Sequence, residues 1–149
     1  MMQISWQKSK RRLAVLWFCG AGIIFIVMLF QTILGRYGTN ISEAWGWFLP
    51  TIMPTLSLII GVLAMDALGN GVKILTVDRF FFRLSFFLSL AYLVVVSFTI
   101  LMQPFSPLSA VELMTQSNLW LGPFQGLVSA SLGAVFIKGA KKSYARDGN

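Results

Sequence analysis

Four long apolar runs without a charged residue set the main limit on how this chain can fold. They cover residues 13–34, 45–65, 84–103 and 119–137. At about 1.5 Å per residue, a helix of about 20 residues spans the roughly 30 Å of a bilayer's hydrocarbon core. We therefore expect a single domain over residues 1–149, an all-α membrane protein with four transmembrane helices in an antiparallel bundle.

The start of the chain is basic and leads directly into the first apolar run. A secretory signal peptide starts the same way, but its apolar core is shorter, about 7–15 residues. The run 13–34 is longer and ends at Gly35-Arg36-Tyr37, a poor cleavage site. We therefore expect this run to be retained as the first membrane helix.

Composition limits the chemistry that the chain can carry. Charged residues make up 11% of the sequence, against about 25% in soluble domains. There is no histidine and one cysteine, Cys19, which excludes histidine-ligated metals and haem as well as a disulfide within the chain. We find no nucleotide-binding loop, metal cluster or nucleophile–base pair, so we expect no catalytic residue, no metal and no cofactor. An enzyme acting on a lipid is the alternative, with Asp66, Asp78 and Glu112 as its unpaired acids.

The basic residues are distributed unevenly between the two sides of the predicted bundle. The N-terminal arm carries four Lys or Arg residues, the second connection three and the C-terminal tail four, whereas the first connection carries Arg36 and the third none. In short connections Lys and Arg concentrate on the cytoplasmic side. We therefore expect both termini in the cytoplasm, in the inner (plasma) membrane of a bacterium. Basic residues beside anionic lipid also account for the net charge of +7, so we expect the lipid bilayer and not nucleic acid as a partner.

Small residues recur on one helix face in two of the runs. In the fourth run they are Gly122, Gly126, Ala130 and Ala134; in the second, Ser57 and Gly61 continue a row that begins at Pro50 and Pro54. Such stripes let membrane helices approach closely, so we interpret them as helix-packing seams, inside one subunit or between subunits. The alternative is composition alone, since seven of the 19 residues in the fourth run are Gly, Ala or Ser. Val128 lies on another face and should tolerate Leu, whereas Gly126 should not.

Two prolines stand near the start of the second run. Pro50 fits a first helical turn, but Pro54 has no N–H to offer the carbonyl of residue 50 if the helix has already begun. We expect a kink or a delayed helix start here. The freed carbonyl either lines a polar pocket with Thr51 and Thr55, or is satisfied by neighbouring Ser or Thr hydroxyls.

A row of mostly polar residues follows one face of the third run, namely Ser85, Ser89, Tyr92, Val96, Thr99 and Gln103. In lipid a polar stripe faces protein or water, so we expect this face to point inward. The row either lines a water-filled path or makes hydrogen bonds between helices. The second interpretation is favoured, because Val96 interrupts the row and no charge marks either mouth of a pore.

The two halves of the chain share a layout that is compatible with two tandem helical hairpins. Gln31, Trp47 and Pro50 have counterparts in Gln103, Trp120 and Pro123, at separations of 72 to 73 residues. A duplication would give a parallel repeat with a pseudo-two-fold axis along the membrane normal. Interfacial Trp and basic entries are also expected of any membrane hairpin, so both interpretations stand.

The absence of reactive residues and the small-residue stripes favour a non-catalytic integral membrane protein. We expect it to be a self-associating subunit or anchor of a larger membrane assembly, with copies of itself or other membrane proteins as partners. The alternative is a small oligomeric channel or membrane-permeabilising effector, for which the polar row and the proline break are the evidence.

Overall fold

The computed structural model of the protein describes residues 3–68 and 76–144, and the side chains of 7–65, 67–68 and 79–136. Its helices are α1 (Trp6–Ile33), α2 (Ile41–Leu68), α3 (Arg79–Leu101) and α4 (Ala110–Tyr144). Each carries one of the apolar runs and is long and apolar enough to cross a membrane. This confirms the expected all-α architecture of four packed membrane helices.

The four helices form a ring in which α1 contacts α2 and α3, and α4 contacts the same two helices. Successive helices run in opposite directions, so α1 has the parallel helix α3 as a neighbour, and α2 has the parallel helix α4. An axis along the membrane normal that exchanged the two hairpins would put α1 diagonally opposite α3. The ring therefore lacks the pseudo-two-fold axis that a duplication of this kind would give, because the second hairpin lies beside the first.

Large side chains from all four helices fill the centre of the ring. The fully buried ones include Trp17 of α1, Phe48 of α2, Tyr92 of α3 and Leu121 of α4. Between α1 and α3 the packing is close at Gly20. A Cβ added there would lie 2.7 Å from Leu93 Cδ1, which places Gly20 and Leu93 at the same level of these two parallel helices.

Short connections join the helices at one end of the bundle. Gly35 and Gly38 have positive φ angles of 70° and 53°, which glycine adopts at no steric cost, and they turn the chain between α1 and α2. On the other hairpin, Ser109 and Glu112 exchange hydrogen bonds between side chain and backbone, as a capping box does at the start of α4. Residues 103–105 form a single 3-10 turn before this cap.

A pair of three-residue strands, which the sequence did not predict, joins the N-terminal arm to the connection between α2 and α3. Strand β1 (Gln3–Ser5) pairs antiparallel with β2 (Thr76–Asp78), with Gln3 opposite Asp78 and Ser5 opposite Thr76. The start of the chain is thereby fixed to the entry of α3.

Candidate functional site

The two prolines of α2 lie inside a continuous helix. Because α2 begins at Ile41, the expected delay of the helix start is wrong, while a kink stays a prediction. Pro54 has no N–H, so the carbonyl oxygen of Pro50 receives no donor from its own helix. A backbone acceptor inside a membrane must find a donor elsewhere in the protein.

Gln125 of α4 supplies that donor. Its side-chain nitrogen Nε2 lies 3.2 Å from the carbonyl oxygen of Pro50 and 3.2 Å from that of Thr51. One amide group thus donates to two successive carbonyl oxygens of α2. The bond couples the fourth helix to the turn that Pro54 opens.

Tyr92 of α3 approaches the same turn from the other side. Its fully buried hydroxyl donates to the carbonyl oxygen of Thr51 over 2.9 Å. Its ring packs against Trp17 of α1, with ring centroids 5.9 Å apart, and against Phe124 of α4 at 5.6 Å. We call Pro50, Thr51, Tyr92 and Gln125 the proline-turn cluster. The donors to the opened turn are thus a tyrosine and a glutamine of other helices, where the sequence suggested Ser or Thr hydroxyls.

The rest of the polar row of α3 also lies inside the bundle. Ser85, Ser89 and Thr99 are buried, and so is Gln103 just after the helix. Ser85 donates to the carbonyl oxygen of Ser131 in α4 over 3.0 Å, and Thr99 donates to Val95 of its own helix over 3.0 Å. The hydroxyls of Ser85 and Thr99 are thus engaged in bonds within the protein, whereas Ser89 Oγ is buried without a hydrogen-bond partner.

A second buried polar group lies near Gln103, just after the C-terminal end of α3. The hydroxyl of Tyr37, in the connection between α1 and α2, donates to Gln31 Oε1 and lies 3.0 Å from Met28 Sδ. Burial raises the pKa of Tyr37 above its ordinary value, and the side chain of Gln103 and the charge of Arg36 oppose that shift. The phenol therefore stays protonated near neutral pH and acts as a donor.

The predicted seam residues lie on the outside of the bundle. Gly122, Gly126 and Ala130 of α4 and Ser57 and Gly61 of α2 are exposed, and Ala134 is half-buried. A Cβ added at Gly61, Gly122 or Gly126 would meet nothing within 4 Å. The stripes therefore do not join helices within one chain, and a seam between subunits stays a prediction.

The inward face of α4 is the one that the sequence left out of the seam. Leu121, Val128 and Leu132 are fully buried and fill the core in its place. Because Val128 is 0% exposed, the structure no longer supports the expectation that it tolerates Leu. Leucine and valine side chains fill the inward face of α4, and its outward face carries the glycines together with the exposed Leu119, Trp120 and Leu127.

The outward small residues of α2 and α4 lie on two helices that contact each other. Pro50, whose carbonyl oxygen binds Gln125, begins the exposed row of α2. On α4, Gly122 and Gly126 are exposed, and Gly122 lies one helical turn from Gln125 on the helix surface. We call this surface the small-residue face, and it comprises Pro54, Ser57, Gly61, Gly122, Gly126 and Ala130.

Sequence reasoning missed Gln125, which belongs to the proline-turn cluster, and Trp17, whose ring packs against Tyr92 of that cluster. Gln125 carries the only side-chain amide of its apolar run, and a polar group at that depth needs a partner in the protein, so it was a usable signal. Trp17 gave no such signal, because tryptophan is as common at the membrane surface as in a core. Among the described residues, no group of three or more His, Cys, Asp or Glu side chains is placed to hold a metal ion.

No protein-family model, no curated protein and no solved structure matches this chain.

Proposed function

We propose that this protein is a non-catalytic multi-pass membrane protein that associates with copies of itself, as a subunit or anchor of a larger membrane assembly. The observation that carries the proposal is the small-residue face of α2 and α4. It places glycine backbone on the outer surface at Gly61, Gly122 and Gly126, with open space above each.

The physics of helix association in lipid supports a protein partner for this surface. Lipid tails are as apolar as leucine, so membrane helices gain little from hydrophobic burial and associate through close packing instead. A groove lined by glycine, alanine and serine lets another helix approach the backbone. A second copy of the chain offers the same groove, as the two-fold interfaces of homo-oligomers require.

The orientation of the chain and its location are part of the proposal. Eleven of the 12 basic residues, all but Arg36, belong to the N-terminal arm, the second connection and the tail. By the positive-inside rule these segments, and hence both termini, lie in the cytoplasm, and the membrane is the inner membrane of a bacterium.

The channel alternative has weaker support. A conducting path needs polar groups that face water, whereas Ser85 and Tyr92 donate to carbonyl oxygens of neighbouring helices. Measurement of ion or solute flux in liposomes distinguishes the two proposals, since an anchor or subunit gives none above the protein-free background.

Cysteine cross-linking in membranes tests the proposed self-association. Cys19 is exposed and is the one cysteine of the chain, so Cys19→Ser gives a background without thiols. On that background we expect Gly122→Cys, Gly126→Cys or Ala130→Cys to form a disulfide-linked dimer under mild oxidation. The matched control is Leu127→Cys, which is exposed at the same depth but lies about 100° further around the helix than Gly126.

Dimer formation at the glycine positions and not at residue 127 supports the interface. Equal cross-linking at all four positions indicates random collision, and a monomeric mass in several mild detergents together with no cross-link at any of them contradicts self-association.

A further inference from the structure

Six Ser and Thr hydroxyls in these helices bond to a carbonyl oxygen of their own helix. Hydroxyls that donate to a carbonyl oxygen three or four residues earlier are those of Thr32, Thr51, Ser97, Thr99, Ser117 and Ser131. This is the usual bond for such residues in a membrane helix. Within the described part of the chain, Thr55 Oγ1 and Ser89 Oγ have no hydrogen-bond partner, and neither does Trp17 Nε1. All three side chains are 0% exposed.

Trp17 of α1 and Thr55 of α2 lie at the same depth in the bundle. The ring of Phe25 contacts the rings of Trp45 and Phe48, with centroids 5.5 and 6.4 Å apart, which sets the register of these antiparallel helices. Trp17 lies eight residues before Phe25 in α1, toward the other end of the bundle. Because α2 runs in the opposite direction, the same level on α2 lies eight residues after Trp45 and Phe48. These are positions 53–56, which include Thr55.

Ser89 of α3 lies at this depth as well. The close approach of Gly20 to Leu93 sets the register of the parallel helices α1 and α3. Trp17 lies three residues before Gly20, and Leu90 lies three residues before Leu93. Trp17 is therefore level with Leu90, the residue that follows Ser89. Ser89 is also one helical turn from Tyr92, whose ring packs against Trp17.

We propose that Trp17, Thr55 and Ser89 form a binding site for one water molecule between α1, α2 and α3. The indole N–H can only donate, whereas the two hydroxyls can both donate and accept, so one water can bond to all three. Internal waters make about three hydrogen bonds to polar groups that lack a protein partner. The site lies one turn from the proline-turn cluster, and it joins α1, which has no side chain in that cluster, to the same polar centre.

The first test detects the water next to Trp17. In the folded full-length protein in deuterated detergent, the indole N–H proton of Trp17 is assigned by its loss in Trp17→Phe. We expect a nuclear Overhauser or rotating-frame cross-peak between this proton and water. The indole of Trp47, which donates to Ser117 Oγ over 3.1 Å, is the internal control and should show none.

The second test uses the sign of a stability change. If Thr55 and Ser89 share a water, Thr55→Val leaves that water short of a bond, and the midpoint of thermal unfolding in detergent falls by about 2–6 °C. Ser89→Ala should then cost much less in the Thr55→Val background than in the parent, because the shared water is already lost. If the hydroxyls are simply unpaired, Thr55→Val removes a buried polar group without cost and the midpoint stays the same or rises.

Thr99→Val is the matched control, because the hydroxyl of Thr99 is buried and donates within its own helix. Its effect should add to that of Ser89→Ala. The proposal requires both the cross-peak at Trp17 and the coupling between Thr55 and Ser89. Failure of either one, an additive double variant or an indole proton without a water contact, overturns it.

Discussion

The outer surfaces of α1 and α3 differ from the small-residue face of α2 and α4. On α1 and α3 the exposed side chains include Phe18, Phe30, Phe87 and Phe98. The small-residue face carries Gly, Ala, Ser and Pro, with open space above its glycines, while large side chains such as Ile60 and Leu127 are exposed elsewhere on the same two helices. Bulky apolar side chains fill the irregular volume between lipid chains, while small residues give another helix access to the backbone. The small-residue face is therefore where we propose a protein partner.

The largest change in the free energy of unfolding should come from a substitution on the inward face of α4 and not on its outward face. Val128→Leu adds volume to a filled core and should lower the free energy of unfolding by about 1–3 kcal/mol. Gly126→Leu should leave the stability of the isolated chain nearly unchanged, because a Cβ there meets nothing within 4 Å. Reversible unfolding in mixed micelles, at protein concentrations low enough to keep the chain monomeric, measures both.

A measurement of self-association tests the small-residue face directly. Gly126→Leu should weaken self-association by about tenfold or more, which corresponds to about 1.4 kcal/mol. Gly22→Leu is the matched control, since Gly22 on α1 also has no atom within 4 Å of an added Cβ. Equal losses for Gly126→Leu and Gly22→Leu would remove the distinction between the two sides of the bundle.

A smaller effect is expected at the proline-turn cluster. Tyr92→Phe removes the donor to the carbonyl oxygen of Thr51 but keeps the ring contacts with Trp17 and Phe124. Hydrogen bonds between membrane helices contribute about 0.6 kcal/mol on average and about 1.7 kcal/mol at most, so the free energy of unfolding should fall within that range. A more stable variant would show that the hydroxyl is not needed at this turn.

The smallest effect is expected on the lipid side. Phe87→Leu keeps an apolar side chain at an exposed position of α3 and should change the free energy of unfolding by less than about 0.5 kcal/mol. It should leave the oligomeric state unchanged in the same cross-linking assay. Loss of the dimer on this substitution would move the interface from the α2–α4 side to the α3 side.

The sequence predicted the helices well, because the cost of charge in lipid and the length needed to cross it are local properties. It also predicted that Ser85, Ser89 and Tyr92 point inward, since a polar face is excluded from lipid. It did not predict whether the stripe through Gly122 and Gly126 faces into or out of the bundle, because glycine fits equally well at contacts inside a bundle and between bundles. Packing of the whole chain decides that question.

The partners at the proline turn were beyond prediction for a different reason. The sequence predicts an unpaired carbonyl oxygen at Pro50, because Pro54 has no N–H to donate. The donor comes from Gln125, which is 75 residues from Pro50 in the chain. Which helices meet depends on the order of the ring, and the repeat pattern suggested a different order. The strand pair of Gln3–Ser5 with Thr76–Asp78 was missed because three residues are too few for an alternating pattern.

The opened turn of α2 also bears on how the protein is made. Until α4 is in place, the carbonyl oxygen of Pro50 has neither the usual donor four residues on in its own helix nor the side chain of Gln125. Each unsatisfied backbone group in hydrocarbon costs several kcal/mol. An α1–α2 hairpin without the second hairpin should therefore be less stable in lipid than the complete bundle, because the donor from α4 is missing.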